Sequence, residues 1–538
     1  MVAQALLANS FPQVLDPAHT VLGSTLLALV PVIVLLLLLA VFRLSAWQAV
    51  IIGAVVTIVL GVTVWQAPTG ETFAAFGLGA GTGFWSVDWI VFWGVIIYNT
   101  LLVTGAFDTF KRWLVAQATA DIRVQTLLIA WAFGALLEGL VGFGYPWAVV
   151  APLLIAFGIA DLAAIRVAAL ANNAPVSFGA LGAPIIGLAA VTGLPLADLS
   201  ASIGKIVAVL ALLPPWVLIY LVSGRRGLRD GWPLALVGSF GYIVGQFPTS
   251  QWLGPYLPDV IGSLVCFAAL LGLLKVWRPR VVLGFGGREL PDEESRAEAA
   301  PTPWRALLPF AILIVVVVAW TGPWSGLPNY VPFAPKISAI SSLDHRSAAT
   351  SWKFAPFVAG TAILASWLLI AAVLRPRSHQ LKTVFLNTFK QMWGALLVGP
   401  LIFGLATVYN YAGLANSMAN GFAKIGVAFV ILSPVLGWIA VALSGSNTSS
   451  NAVFGHFQYS VAVLLKAPVL LFPALNSLGA EVGKPVAPQT ASVGVATTRF
   501  VRNEGQVIRY NMGWTLVMLG YLILIGLLFY FVLPAAVS

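Results

Sequence analysis

The chain has 538 residues, of which 60% are hydrophobic and only 9% are charged, and its formal net charge is +10. A soluble domain usually carries about 25% charged residues, so this composition excludes an ordinary soluble protein and indicates a polytopic helical membrane protein. The apolar runs are continuous, whereas a β-barrel needs alternating segments. The basic residues lie in short loops, where they mark the cytoplasmic side of a membrane protein, so they do not indicate a nucleic-acid partner.

Apolar segments near the ~20 residues that a membrane-spanning helix needs recur along the chain. They lie at 21–42, 46–66, 86–107, 203–222, 232–248, 258–277, 304–320, 353–374, 391–411 and 512–534. When the basic loops are placed inside the cell, both termini and the predicted loops at 67–85 and 321–352 lie outside. The charged stretch 278–303 is predicted to be a cytoplasmic linker between two halves, 1–277 and 304–538.

Two further apolar blocks are interrupted by Gly, Pro, Asn and Ser, and each must cross the membrane an odd number of times. A re-entrant hairpin followed by a broken helix satisfies this condition in both blocks. The hairpins are predicted at 124–158 and 425–466, and the broken helices at 161–196 and 467–498. The fold class is therefore an all-α polytopic membrane protein with inverted repeats, divided into a transport core and a scaffold. Paired breaks in two halves point to the substrate site of a secondary transporter.

The breaks carry the candidate substrate-binding residues. Unpaired backbone N–H groups at half-helix N-termini bind anions without arginine, and neighbouring amide and hydroxyl side chains suit a carboxylate with an adjacent hydroxyl. The alternative is that these polar side chains only hold helices together. The predicted substrate-binding residues are Gly142, Phe143, Gly144, Tyr145, Asn172, Asn173, Ser446, Asn447, Thr448, Lys484, Gln489 and Thr490.

Glu138 is the sharpest candidate for proton coupling, because a carboxylate inside a membrane is costly and marks a functional site by default. His456, after the second hairpin tip, is a candidate proton relay. Lys484 either attracts the anion, neutralises Glu138 or extends to the interface. Asp88 is a weaker candidate in the third span, and Asp259 is expected near a span end.

Other chemistry is not indicated by the sequence. It has no His-x-x-x-His zinc pair, no Gly-x-x-x-x-Gly-Lys-Ser/Thr loop and no Gly-x-Ser-x-Gly elbow. Each of these motifs would be expected in the corresponding class of enzyme or nucleotide-driven pump. We therefore predict no metal site, no cofactor and no enzymatic activity.

The interrupted blocks also carry motifs of a known family. They are Glu138-Gly139 through Gly142-Phe143-Gly144 and Pro146, Ala174-Pro175-Val176, Ser444-Gly445-Ser446 with Thr448-Ser449-Ser450-Asn451, and Gly483-Lys484 with Pro488-Gln489. On these motifs the chain resembles the lactate permease family of bacterial transporters. The resemblance implies a multi-pass protein of the bacterial inner membrane that takes up L-lactate by proton symport and accepts D-lactate and glycolate.

Two alternatives stay open at this point. A sodium-coupled small-carboxylate transporter is compatible with the oxygen ligands that Ser446, Asn447 and Thr448 would offer. A passive monocarboxylate or anion channel is the other alternative; it would need no proton-loading carboxylate and would not accumulate substrate against its gradient. The expected partners are lactate or a related 2-hydroxy monocarboxylate, the proton and the lipid bilayer, and the oligomeric state is not predicted.

Overall fold

The computed structural model describes residues 10–117, 119–142, 144–290, 304–495 and 503–538. Within these ranges nine helices are long and apolar enough to cross a membrane, or ten if one bent helix pair counts as a single span. Strands are few and short. The structure thus confirms the all-α polytopic class.

The first half contains helices α1 to α11. They are α1 Val21–Ala40, α2 Ala46–Thr63, α3 Thr69–Val103, α4 Ala106–Gln117, α5 Ile122–Leu140, α6 Tyr145–Ala156, α7 Asp161–Ala171, α8 Gly179–Thr192, α9 Leu196–Leu210, α10 Pro214–Trp252 and α11 Pro258–Val276.

The second half contains helices α12 to α20. They are α12 Trp304–Thr321, α13 Ala359–Leu374, α14 Ser378–Tyr411, α15 Leu414–Phe422, α16 Phe429–Ser444, α17 Asn447–Leu465, α18 Leu471–Gly483, α19 Pro488–Val495 and α20 Glu504–Phe531. Residues 291–303 of the predicted linker lie outside the described residues, and the division into two halves stays a prediction.

The prediction of a loop at 67–85 was wrong, because most of this segment is the first part of α3. Two of its glycines, Gly79 and Gly83, serve close helix packing instead of a turn. A Cβ at Gly79 would lie 2.3 Å from the Phe403 carbonyl oxygen, and a Cβ at Gly83 would lie 2.5 Å from that of Gly399. Small residues let membrane helices approach backbone to backbone, so α3 packs directly on α14.

The predicted cytoplasmic loop between the spans 203–222 and 232–248 is also helical, and the chain reverses at a single residue. Gly224 has φ +68° inside α10, a conformation that glycine adopts readily. Ser200 Oγ donates to the Ser250 carbonyl and Ser239 Oγ donates to the Leu212 carbonyl. The segments before and after Gly224 therefore run antiparallel as a helical hairpin.

The segment 321–352, predicted as an external loop, folds into a small sheet. Strand β1, Phe11–Pro12, pairs in parallel with β2, Lys336–Ile340, and β2 pairs antiparallel with β3, Ser347–Ser351. Gln13 continues the attachment, because its Nε2 donates to the carbonyls at the end of α14. The start of the described chain and this segment are thus packed together at one end of the helices.

Candidate functional site

The two hairpin tips are glycine turns. Between α5 and α6 the chain turns at Gly142, with φ +67°, and Gly144, with φ +79°. Between α16 and α17 it turns at Gly445, with φ +72°. These left-handed conformations strain any residue with a Cβ, which explains the glycines. Ser446 then caps α17, and its side chain accepts a hydrogen bond from the Ser449 N–H at 3.2 Å.

Each hairpin is followed by a broken helix. Helices α7 and α8 are bent by 67° across the break that contains Asn172 and Asn173. The break continues through Ala180, with φ +46°, and Leu181, with φ +56°. Non-glycine residues seldom adopt positive φ, and such backbone clusters at functional sites. The second break is the short turn Lys484–Val486 between α18 and α19.

Both tips contact the first turn of α19, directly after the second break. A Cβ at Gly144 would lie 2.9 Å from Thr490 Cγ2, and a Cβ at Gly445 would lie 2.8 Å from Gln489 Cβ. Gly142 lies against Ala180 of the first break in the same way, at 3.1 Å. Because Gln489 and Thr490 are neighbours, the structure brings the two tips together at one place.

The ionisable residues of the two halves also meet there. Lys484 Nζ lies 2.6 Å from Glu138 Oε1, and Asn172 Nδ2 donates to Glu138 Oε2 at 2.8 Å. Only 2% of the Glu138 side chain and 5% of the Lys484 side chain are exposed. Of the roles that the sequence left open for Lys484, the structure shows the contact with Glu138. The first hairpin is thereby joined to both breaks.

Glu481, which the sequence analysis missed, lies beside this ion pair. Its Oε2 accepts hydrogen bonds from the Ser177 N–H at 2.9 Å and from Ser177 Oγ at 2.5 Å. Ser177 Oγ is also 3.1 Å from Ser477 Oγ. A carboxylate inside the apolar helix α18, three residues before Lys484, was the signal that could have identified it.

Hydrogen bonds among amides connect this cluster to the second hairpin. Asn451 Nδ2 donates to the Pro184 carbonyl and to Ser477 Oγ, both at 3.0 Å. Asn476 Nδ2 donates to Asn451 Oδ1 at 3.0 Å, and Ser477 Oγ donates to Asn447 Oδ1 at 3.4 Å. Each broken helix is thus bonded to the second hairpin, as the alternative of helix-holding polar residues requires.

The same region leaves polar atoms unpaired, which the helix-holding alternative does not explain. Buried polar groups nearly always have a hydrogen-bond partner, and each exception calls for a cause such as a ligand or water site. The buried side-chain atoms without a partner among the described residues here are Asn172 Oδ1, Asn173 Oδ1 and Nδ2, Asn447 Nδ2, Ser450 Oγ and Glu481 Oε1.

A cavity of about 440 Å³ adjoins the second tip. This volume lies in the range of small-molecule sites. The predicted residues on its wall are Ser446, Thr448, Gln489 and Thr490. Because α17 begins at Asn447 and α19 at Pro488, two helix N-termini border the cavity.

Most of the remaining predicted residues do not line the cavity, and Phe143 and the side chain of Tyr145 are not among the described parts of the structure. None of the described lining residues is Glu138, Lys484, Asn172, Asn173 or Asn447, so these residues do not line the cavity.

His456 lies apart from the ion pair. It is nine residues beyond the start of α17, roughly 13 Å along a helix. A hydrogen bond joins it to the backbone of Val191, near the end of α8, and its ring stands 5.8 Å from that of Tyr459. Its Nδ1 atom has no partner among the described residues. Its role as a proton relay stays a prediction.

Asp259 lies in the first turn of α11, near the span end where it was expected. Its carboxylate is buried and accepts a hydrogen bond from the Tyr242 hydroxyl at 2.7 Å. A Cβ at Gly139 would lie 2.7 Å from Asp259 Cβ, so Asp259 packs against the hairpin residue that follows Glu138. The packing of α11 against α5 places this side chain in the protein interior, and that packing cannot be predicted from hydropathy alone.

Comparison with known proteins agrees with the motifs. The sequence model of the L-lactate permease family matches residues 24–535. The glycolate permease GlcA of Escherichia coli is 34% identical, over 94% of this chain and 95% of its own length. An L-lactate permease of Bacillus subtilis is 32% identical, over 93% and 96% of the two chains.

A solved structure, that of MtrF from Neisseria gonorrhoeae, aligns with 93% of this chain and 97% of its own, at 13% identity and a TM-score of 0.48. We draw no conclusion from a similarity at this level. The family match and the two relatives each extend over nearly the whole chain, and they agree with the resemblance found in the sequence. The chain belongs to the L-lactate permease family.

Proposed function

We propose that the protein is a secondary active transporter that takes up L-lactate, and with it D-lactate and glycolate, by proton symport across the bacterial plasma membrane. The printed names of the relatives, glycolate permease and L-lactate permease, support the substrate class. The apolar helices and the family membership support a multi-pass membrane protein. Members of the family are permeases, which move a solute without changing it.

The observation that carries the proposal is the cavity bordered by two helix N-termini. The first turns of α17 and α19 present backbone N–H groups, which favour a carboxylate. Thr448 and Thr490 offer hydroxyl groups to the substrate 2-hydroxyl, as does Ser450, whose Oγ has no partner in the described part of the chain. A small 2-hydroxy monocarboxylate suits this combination of donors and hydroxyl groups.

The pair of Glu138 and Lys484 provides a physical basis for coupling. In the structure the two charges neutralise each other in a buried place. A proton on Glu138 would leave Lys484 uncompensated, and a substrate carboxylate in the adjoining cavity would restore neutrality. Either ligand alone would leave an unpaired buried charge, which is costly, so the proton and the anion bind together.

The placement of the cavity suggests the motion. Its wall combines α16, α17 and α19 with α1, α2, α3 and α14. The first set belongs to the hairpin and broken-helix elements, and the second set lies outside them. We propose that the hairpin-bearing core moves against these outer helices as a rigid unit, in an elevator-like motion.

The decisive experiment is uptake of labelled L-lactate into proteoliposomes, with pH and sodium gradients imposed separately. We expect an inwardly directed proton gradient, without sodium, to accumulate lactate above equilibrium. Accumulation that depends on sodium would favour the sodium-coupled alternative. Equilibration without accumulation would favour a channel, and either outcome would reject proton symport.

A further inference from the structure

Asp88 lies on the wall of the same cavity and has no place in the mechanism above. Its side chain is nine-tenths buried, and its Oδ2 atom has no hydrogen-bond partner among the described residues. It ends a π-helical turn, Gly83–Asp88, within α3. Such turns in α-helices occur frequently at functional sites. Asp88 faces α14, where a Cβ at Gly399 would lie 2.3 Å from its carboxylate oxygens.

The charge of the cavity wall makes this residue unusual. Among the described lining residues Asp88 is the only acidic residue, and none is Lys, Arg or His. An ionised Asp88 would therefore repel an anionic substrate with no cation on the wall to compensate. A protonated Asp88 is neutral and can donate a hydrogen bond to the substrate carboxylate.

Among the described residues no cation forms an ion pair with Asp88, and Arg43, in the loop between α1 and α2 near the lining residue Ser45, is exposed. Helices α1, α2, α8, α13, α16 and α19 have no titratable side chain. The titratable residues on the remaining helices around the cavity are Glu71 and Tyr98 on α3, His379, Lys382, Lys390, Tyr409 and Tyr411 on α14, and His456 and Tyr459 on α17. The three basic residues of α14 are exposed, and Glu71 accepts a hydrogen bond from the Tyr411 hydroxyl.

We propose that Asp88 is a second protonation site, and that the substrate anion occupies the cavity only while Asp88 carries a proton. The inference rests on the proposed function, because it takes the cavity as the place where the substrate binds. When Asp88 loses its proton to the cytoplasm, repulsion favours release of the anion. The described cavity wall has one acidic residue and no basic residue, and this arrangement is the basis for release of the anion on deprotonation of Asp88.

The first test is kinetic and uses lactate exchange in proteoliposomes between pH about 6 and about 8. The protonated fraction of a carboxyl group falls up to about tenfold per pH unit above its midpoint. We expect KM of the unaltered protein to rise with pH. Asp88→Asn should lower the slope of log KM against pH by about one. Asp198→Asn is the control, since Asp198 is exposed in the first turn of α9 and does not line the cavity, and it should keep the slope. An unchanged slope in Asp88→Asn overturns the proposal.

The second test uses the unaltered protein, so it does not depend on the folding of a variant. Dicyclohexylcarbodiimide reacts with protonated carboxyl groups in apolar surroundings, and mass spectrometry locates the adduct. We expect modification at Asp88 that declines as pH rises and is prevented by lactate. Absence of modification at Asp88, or sodium alone lowering KM at alkaline pH, overturns the protonation site. Absence of lactate transport in the unaltered protein would instead overturn the proposed function.

Discussion

Two buried ion pairs have the same distance between nitrogen and oxygen but different surroundings. In one, Arg123 Nη2 lies 2.6 Å from Asp121 Oδ2, with side chains 0% and 1% exposed. In the other, Lys484 and Glu138 stand at the same distance with nearly the same burial. The first pair joins residues two positions apart, and the second joins residues that are 346 positions apart in the sequence.

The surroundings of the two pairs differ more than the pairs themselves. Arg123 also donates to the Gly227 and Val281 carbonyls, and Asp121 accepts from the Leu283 N–H and caps α5. We call these two residues the arginine clamp. Around Lys484 and Glu138, by contrast, several buried polar atoms have no partner in the described part of the chain. A fully satisfied network is rigid, whereas an incompletely satisfied one leaves donors and acceptors for a ligand.

The largest effect should come from removing one charge of the Glu138–Lys484 pair. Lys484→Gln leaves Glu138 buried and uncompensated, which typically costs about 3–5 kcal/mol, and it removes the proposed attraction for the anion. We expect a clear drop in the unfolding temperature and loss of lactate accumulation. Glu138→Gln should lose accumulation driven by a pH gradient.

The double variant Glu138→Gln with Lys484→Gln separates stability from coupling. Replacing both members of a buried ion pair is often close to neutral for stability. The unfolding temperature should therefore recover while accumulation remains absent. Full accumulation by the double variant would show that neither charge couples transport to protons.

A smaller effect on transport is expected at the arginine clamp. Arg123→Gln leaves Asp121 without its cation, so the stability loss should again be about 3–5 kcal/mol. Each folded molecule should nevertheless keep the pH dependence of lactate uptake, because the clamp lies outside the cavity lining. Uptake normalised to folded protein, measured across a pH series, checks this expectation. A shifted pH profile would remove the distinction between the two pairs.

The smallest effect is expected at His456. As a relay at a distance from the ion pair, it would speed proton movement without setting whether transport is coupled. His456→Gln should lower the initial rate of proton-driven uptake and keep the final accumulation. The initial rate and the plateau in one uptake time course separate these quantities. A variant with an unchanged initial rate would exclude the relay.

Much of the architecture could be predicted because its signals are local. A run of apolar residues indicates a span, and Gly, Pro and Asn within such a run indicate a break. The tips at Gly144 and Gly445 and the breaks at Asn172 and Lys484 are visible in this way. The same signals misled at 67–85, where glycines that allow close packing resemble the glycines of a loop.

The sequence offered the contact between Lys484 and Glu138 only as one of several roles for Lys484, and most other partners within the site could not be predicted. Glu481 and Asp259 lie in apolar helices. Whether their side chains face lipid or the protein interior depends on how the helices pack. The reversal at Gly224 depends on one backbone angle, and the run of charged residues after it predicted a longer loop. These features arise from contacts between segments far apart in the chain.

The sequence by itself determined the class of protein, its membrane helices, the positions of their breaks and the family, because hydropathy, helix-breaking residues and motifs are properties of contiguous residues. Only the tertiary structure decided that Lys484 contacts Glu138, that both tips contact Gln489 and Thr490, and that Asp88 faces the cavity. Charges in a low-dielectric interior interact with whatever packing brings beside them, and that packing is a property of the whole chain.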